Sequence, residues 1–329
     1  MKVFHALLLA LCATASPAAE SLGPKPAPPA AELAALLGEY GTDEQSAVLI
    51  YERDGRVFIH SGSDDEPLTR MSRDTYMNGR AARLRFARAR DGSGKSVTRD
   101  GKVFARHDFG AEVEAGVRKT VRHIPDLRAR SLAATPPVES DKRAADLVEI
   151  APLDPGIHLD IRYATDDNFM GIRLYDEPRA FLQRPAAEAV VRAHRALAQY
   201  GYGILIKDAY RPWYVTKMFW DATPDSAHDY VADPSQGSRH NRGCAVDLTL
   251  YDLATGAEVP MPGRYDELSV RSWPTYAGGT SLQRWHRDLL RSAMEAQGFS
   301  IYPQEWWHFD YAGWEQYPIL NLEFDRIGH

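Results

Sequence analysis

The run Ala245-Val246-Asp247-Leu248-Thr249-Leu250 narrows the possible folds more than any other stretch of the chain. Its residues are those of a buried strand, yet one of them is a carboxylate. Burying an ionised Asp is costly unless it is paired or bound to a metal. The chain must therefore bring a partner for Asp247 into an apolar layer. Just upstream, Ser238-Arg239-His240-Asn241-Arg242-Gly243-Cys244 puts His240 at the loop end leading into this strand, and Gly243 lets the backbone turn between them. Taken alone, a His and an Asp seven apart fit a structural salt link better than a metal site.

A second cluster shifts that balance. Gln304-Glu305-Trp306-Trp307-His308-Phe309-Asp310-Tyr311 is apolar and aromatic, with a Glu and a His three apart. Residues three apart in an extended segment point to opposite sides, so a twist or bulge is needed for both to reach one site. His240, Asp247 and His308, with an open fourth position, make a catalytic zinc set holding one ion per chain. Glu305 is then left uncoordinated as the general base. A third stretch, Ile204-Leu205-Ile206-Lys207-Asp208-Ala209-Tyr210-Arg211-Pro212, reads as a buried strand that delivers Arg211 at its rim. Its permanent, forked charge suits an oxygen that gains negative charge, although a plain ion pair with Asp208 fits the same spacing.

These three stretches together resemble the zinc D-alanyl-D-alanine dipeptidases of the VanX type, within the wider group of D-Ala-D-Ala metallopeptidases. The resemblance runs from about Leu147 to Tyr317. The family's Ser-x-His-x-x-Gly-x-Ala-x-Asp motif matches Ser238, His240, Gly243, Ala245 and Asp247, its Glu-Trp-Trp-His motif matches Glu305 to His308, and Asp-Ala-Tyr-Arg-Pro matches Asp208 to Pro212. The resemblance implies His240, Asp247 and His308 as zinc ligands, Glu305 as base and Arg211 as the transition-state stabiliser. It also implies Asp266 as the acidic group for the substrate ammonium, with Asp167, Ser238, Tyr210 and Trp307 as further substrate contacts. The implied substrate is a small dipeptide. A D,D-carboxypeptidase or endopeptidase on longer peptidoglycan peptides shares this zinc logic but needs an open groove. A non-catalytic cell-wall binder is the reading from another class, and the intact set of chemical groups argues against it.

The rest of the 329-residue chain divides by charge. Residues 70–130 carry 16 basic and 7 acidic side chains, hence +9, whereas 151–329 carry 17 and 24, hence −7. From about Leu33 to Val121 short β-branched runs alternate with the turn signals Asp54-Gly55, Asp91-Gly92-Ser93-Gly94 and Asp100-Gly101. The expected class is α+β: a small antiparallel β domain over 33–125, a linker over 126–147, and a peptidase domain over 148–329 built on a short antiparallel sheet flanked by helices. Helices are expected from Arg184 to Tyr200 and from Leu282 to Gln297. In the β domain, arginines at alternate positions (Arg83 and Arg85, Arg88 and Arg90) read as a solvated strand face. Aromatics are not interleaved with them, so nucleic acid is not an expected partner, whereas peptidoglycan is one the β domain would serve. Lys2, the apolar run from Phe4 to Cys12 and Ala13-Thr14-Ala15 read as a secretory signal over 1–19, followed by a Pro-rich linker over 20–32. Leu11 is bulky where lipoprotein signals carry a small residue, so the chain is expected to be exported, periplasmic or secreted, without a lipid anchor. No stretch reaches the roughly 18 apolar residues of a spanning helix. Two cysteines exclude a disulfide framework.

Overall fold

The computed structural model of the chain describes residues 22–327 apart from Gln45 and Ser63, so the expected signal over 1–19 lies outside the described residues. After a single helical turn, α1 (Ala31–Ala34), the chain lays down β1 (Gly38–Tyr40), β2 (Val48–Arg53), β3 (Arg56–Ser61), β4 (Asp64–Ser72), β5 (Thr75–Met77), β6 (Arg83–Arg88), β7 (Gly94–Arg99) and β8 (Lys102–His107). Each strand pairs antiparallel with the next, and β8 returns to β1 through Glu39↔His107 and Tyr40↔Arg106, closing a barrel. The two-residue turns Asp54-Gly55 and Asp100-Gly101 have positive φ at both positions (52° and 77°, 50° and 76°), the geometry that matches the twist of a hairpin. Alternation fills the barrel. Leu84 and Phe86 point inward to join Tyr40, Ile50, Ile59 and Val97, while Arg83 and Arg85 face water as expected.

The chain then enters α2 (Phe109–His123), capped by the Asp108 carboxylate accepting from the Ala111 amide, and α3 (Leu127–Ala133). The C-terminal unit follows with β9 (Leu147–Glu149), β10 (His158–Leu159), β11 (Phe181–Gln183), α4 (Arg184–Ala198), β12 (Tyr202–Asp208), α5 (Trp213–Ala222), β13 (Ala245–Asp252), α6 (Ser281–Glu295), β14 (Phe299–Tyr302) and β15 (Glu305–Tyr311). Its main sheet has the order β10-β12-β13-β15-β14. The expected antiparallel sheet is in fact mixed, because β10 joins β12 in parallel. The cause is topological: β10 leads through β11 and α4 to β12, a crossover rather than a hairpin. The central strands β12 and β13 are buried on both faces, which explains their unbroken apolar runs.

One core serves the sheet, α4, α5 and α6, and it also takes in Val117 and Val121 of α2 and Leu127 of α3. The barrel has its own separate core. By packing, α2 therefore belongs with the C-terminal unit, although it lies inside the span expected for the β domain. The span expected as a linker over 126–147 holds α3.

Candidate metal centre and active site

The sheet brings together what the sequence separates. Asp247 on β13 pairs directly with His308 on β15, and Asp208 on β12 sits opposite Asp247 on the other side. His240 opens a short 3₁₀ turn (His240–Arg242), and Gly243 at φ 66° redirects the chain into β13. That glycine is required twice over, because a Cβ there would lie 2.4 Å from the Leu147 side chain. Glu305 begins β15, where the register with β14 shifts between Ile301 and Tyr302. This irregularity is the bulge that spacing alone demanded, and it lets Glu305 and His308 face one site.

The resulting geometry is compact. His240 Nε2 lies 3.0 Å from His308 Nδ1 and 3.3 Å from Asp247 Oδ1, and His308 Nδ1 is 3.1 Å from the same oxygen. Tetrahedral zinc bonds of about 2.0–2.1 Å give ligand–ligand edges of roughly 3.3–3.4 Å, so the three atoms fit one face of such a site. Asp247 Oδ1 is buried without a hydrogen bond, as an atom reserved for a cation would be. The opposite ring nitrogens are engaged: His240 Nδ1 reaches the Ala209 carbonyl at 2.6 Å and His308 Nε2 reaches Asp310 Oδ1 at 2.9 Å. These contacts fix the tautomers that aim the free nitrogens at the common point. Two imidazoles and a carboxylate suit zinc. Among the described residues, this is the cluster that could hold a metal ion.

Charge around the centre is strongly coupled. Burial alone would raise the Asp247 pKa, but His240 and His308 beside it hold it well below the usual carboxylate range. Burial opposes a charged His308, yet Asp310 and Asp247 outweigh it and hold the imidazole well above its ordinary value. Glu305 Oε2 is 3.5 Å from His308 Nδ1, and burial pushes its carboxyl up to about 7. Arg211 is held by Asp208, with Nε at 2.9 Å and Nη2 at 2.8 Å, and its Nη2 lies 3.6 Å from Asp247 Oδ2. Its guanidinium also stacks 4.6 Å from the Phe219 ring centre. The ion pair with Asp208 read from the spacing thus exists, and it aims Arg211 at the site.

A cavity of about 260 Å³ opens over the cluster, lined by His240, Asp247, His308, Glu305, Arg211 and Asp266. Ser238 and Trp307 line it too; the Ser238 hydroxyl accepts the His240 amide at 3.2 Å. Asp266 accepts the Tyr163 hydroxyl at 2.9 Å, and burial raises its pKa well above the usual range. Two expected contacts are placed elsewhere. Asp167 is exposed, paired with Arg162, and lines a neighbouring cavity of about 500 Å³ that shares Asp266 and Phe169 with the first. Tyr210 turns away, its hydroxyl donating to the Leu322 carbonyl at 3.0 Å and accepting the Leu322 amide at 2.7 Å. Sequence reasoning missed Asp310, although it lies two residues beyond His308 on the same strand face. It also missed Tyr265, whose hydroxyl donates to Asp247 Oδ2 at 3.2 Å and for which no local signal existed.

Comparison with known proteins places this geometry. The M15 peptidase family, described as D-Ala-D-Ala dipeptidase, matches residues 143–325. The chain is 34% identical over 179 residues to a D-alanyl-D-alanine dipeptidase of Escherichia coli, covering 54% of this chain and 91% of the relative. It is 37% identical over 190 residues to one of Enterococcus faecium, covering 51% and 92%. Against one of Streptomyces coelicolor the identity is 32% over 182 residues, covering 50% and 90%. With a match over more than half of its length, the chain belongs to the D-Ala-D-Ala dipeptidase family of peptidases.

Proposed function

We propose that the protein hydrolyses the D-alanyl-D-alanine dipeptide, with one zinc ion held by His240, Asp247 and His308. The observation that carries this reading is the triangle of ligand atoms, 3.0 to 3.3 Å on its edges, with Glu305 beside it. Zinc, when bound, supplies Lewis-acid polarisation of the carbonyl and acidifies water at its open position. Glu305 takes a proton from the attacking water and hands it to the leaving nitrogen as the C–N bond breaks, returning to its starting state. Arg211, fixed by Asp208, donates to the carbonyl oxygen as it gains charge. Asp266 takes the substrate ammonium, and Ser238 and Trp307 wall the pocket.

The dipeptide is favoured over a longer peptide by the likeness to D-alanyl-D-alanine dipeptidases, and the cavity of about 260 Å³ over the cluster is of a size to hold one. Export, and cell-wall dipeptide turnover as the setting, extend the same reading. Metal analysis together with hydrolysis of D-Ala-D-Ala against L-Ala-L-Ala tests it. One zinc per chain and preferential cleavage of the D,D substrate are expected. A protein purified without zinc that gains no activity when zinc is added overturns the proposal.

A further inference from the structure

We infer that the chain preceding the family match acts as a clamp that sets the position of Asp266, with Arg264 as the positioning residue through which it works. The inference rests on the proposed role of Asp266 toward the substrate ammonium. Asp266 sits at φ 57°, in the left-handed region. Aspartate adopts that conformation more readily than most residues, so the packing on either side of Asp266 decides whether it is held there.

Besides the Tyr163 hydroxyl and the segment's own hydrogen bonds, part of that packing comes from outside residues 143–325. Arg264, two residues before Asp266, is gripped at the start of α2 by Asp108 at 2.6 Å and by Glu114 at 3.3 Å. Glu267, the residue after Asp266, is buried; its carboxylate accepts the Arg264 amide at 2.8 Å and the Ser269 hydroxyl at 3.0 Å. Gly110 of α2 lies flat against it, so that a Cβ there would come within 2.7 Å of Glu267 Cγ. Farther along, the Val270 amide donates to Glu44 Oε1 at 2.8 Å, a side chain on the loop between β1 and β2. Asp266 is thus bracketed on both sides by residues that α2, its capping Asp108 and the β1–β2 loop hold. Neither Asp108, Gly110 nor Glu44 lines the cavity over the metal cluster.

Full-length Arg264→Gln, Asp108→Ser (which keeps a helix-capping hydroxyl) and Glu44→Ala test the clamp, with Arg264→Lys as the conservative rescue. In Arg264→Gln, KM for D-Ala-D-Ala should rise about three- to fivefold, the scale of a half-exposed ion pair, while kcat and zinc content stay unchanged. Amide hydrogen exchange across 262–273 should quicken in the same variant and return toward wild type in Arg264→Lys. The single substitutions at Asp108 and Glu44 should shift KM the same way by less, and they carry the test if Arg264→Gln does not fold. Unchanged KM in all three variants, or a fall in kcat with KM unchanged, overturns the clamp. Failure of the proposed function looks different: the wild-type protein then cleaves no dipeptide. In that case hydrogen exchange alone decides, and unaltered exchange of 262–273 in Arg264→Gln overturns the clamp.

Discussion

In the barrel, most ion pairs stand in water. Arg53–Asp65 and Arg80–Asp64 leave their side chains between 37% and 69% exposed. The peptidase domain carries surface pairs too, such as Arg184–Asp146, but at its site charge is sunk: Arg211 and Asp208 are 9% and 1% exposed, and Lys207, 1% exposed, reaches out to the part-exposed Asp160 and Glu258. Exposed pairs contribute about 0–1 kcal/mol, whereas burying charge costs several kcal/mol per ion before compensation. The barrel shows that this chain can fold with its charge left outside. The peptidase domain buries charge because its site requires it. The barrel's own exceptions sharpen the contrast, since its buried acids face the neighbouring unit. Glu52 accepts the Ser281 amide at 2.7 Å, and Glu39 lies beside Arg271 and Tyr276.

The contrast breaks first at the ligands. His308→Ala should lose stoichiometric zinc and with it all measurable turnover, read by metal analysis of the purified protein; zinc retained at one per chain contradicts the ligand set. Glu305→Ala should keep zinc yet lose about 10³-fold in kcat, or about 4 kcal/mol of transition-state stabilisation. Near-normal turnover there would remove the base. Glu39 tests the boundary between the two regimes. Burial, opposed by Arg271 and Tyr276 and reinforced by Glu44 and Glu267, raises its pKa from 4.5 to about 7. The folded state therefore keeps a proton that the unfolded chain releases, and stability falls as the pH rises from about 4.5 to about 7. Glu39→Gln should flatten that slope, worth at most about 3 kcal/mol, in Tm measured across the window. Asp310→Asn should weaken zinc affinity about 10- to 100-fold while leaving the ligands in place, measured by chelator competition. Smallest of all, Arg80→Ala on the barrel should move stability by less than about 0.5 kcal/mol in urea titration.

What could be read from the residues divides along the same line. Asp247 announced itself because a carboxylate in an apolar strand is a local contradiction, and Glu305 with His308 did so by spacing. The Asp-Gly turns were legible because backbone conformation there depends on residue type. Barrel closure was not, since Glu39 and His107 meet only through the twist accumulated over eight strands. Helix α5 escaped notice for the opposite reason: buried on most sides from Trp213 to Ala222, it carries no polar stripe to set its period. Asp266 was marked by motif, but nothing near it in the sequence announced Asp108 and Glu114, over 140 residues earlier, which pair with Arg264 beside it.

Because Val117, Val121 and Leu127 fill the same interior as the catalytic sheet, the edge of the family match is not an edge of the folding unit. A fragment trimmed to 143–325 would present a greasy trough where α2 and α3 had lain. Its failure would show as precipitation on expression, before any assay of chemistry could be run. The place where family resemblance stops is therefore no seam along which the molecule can be cut.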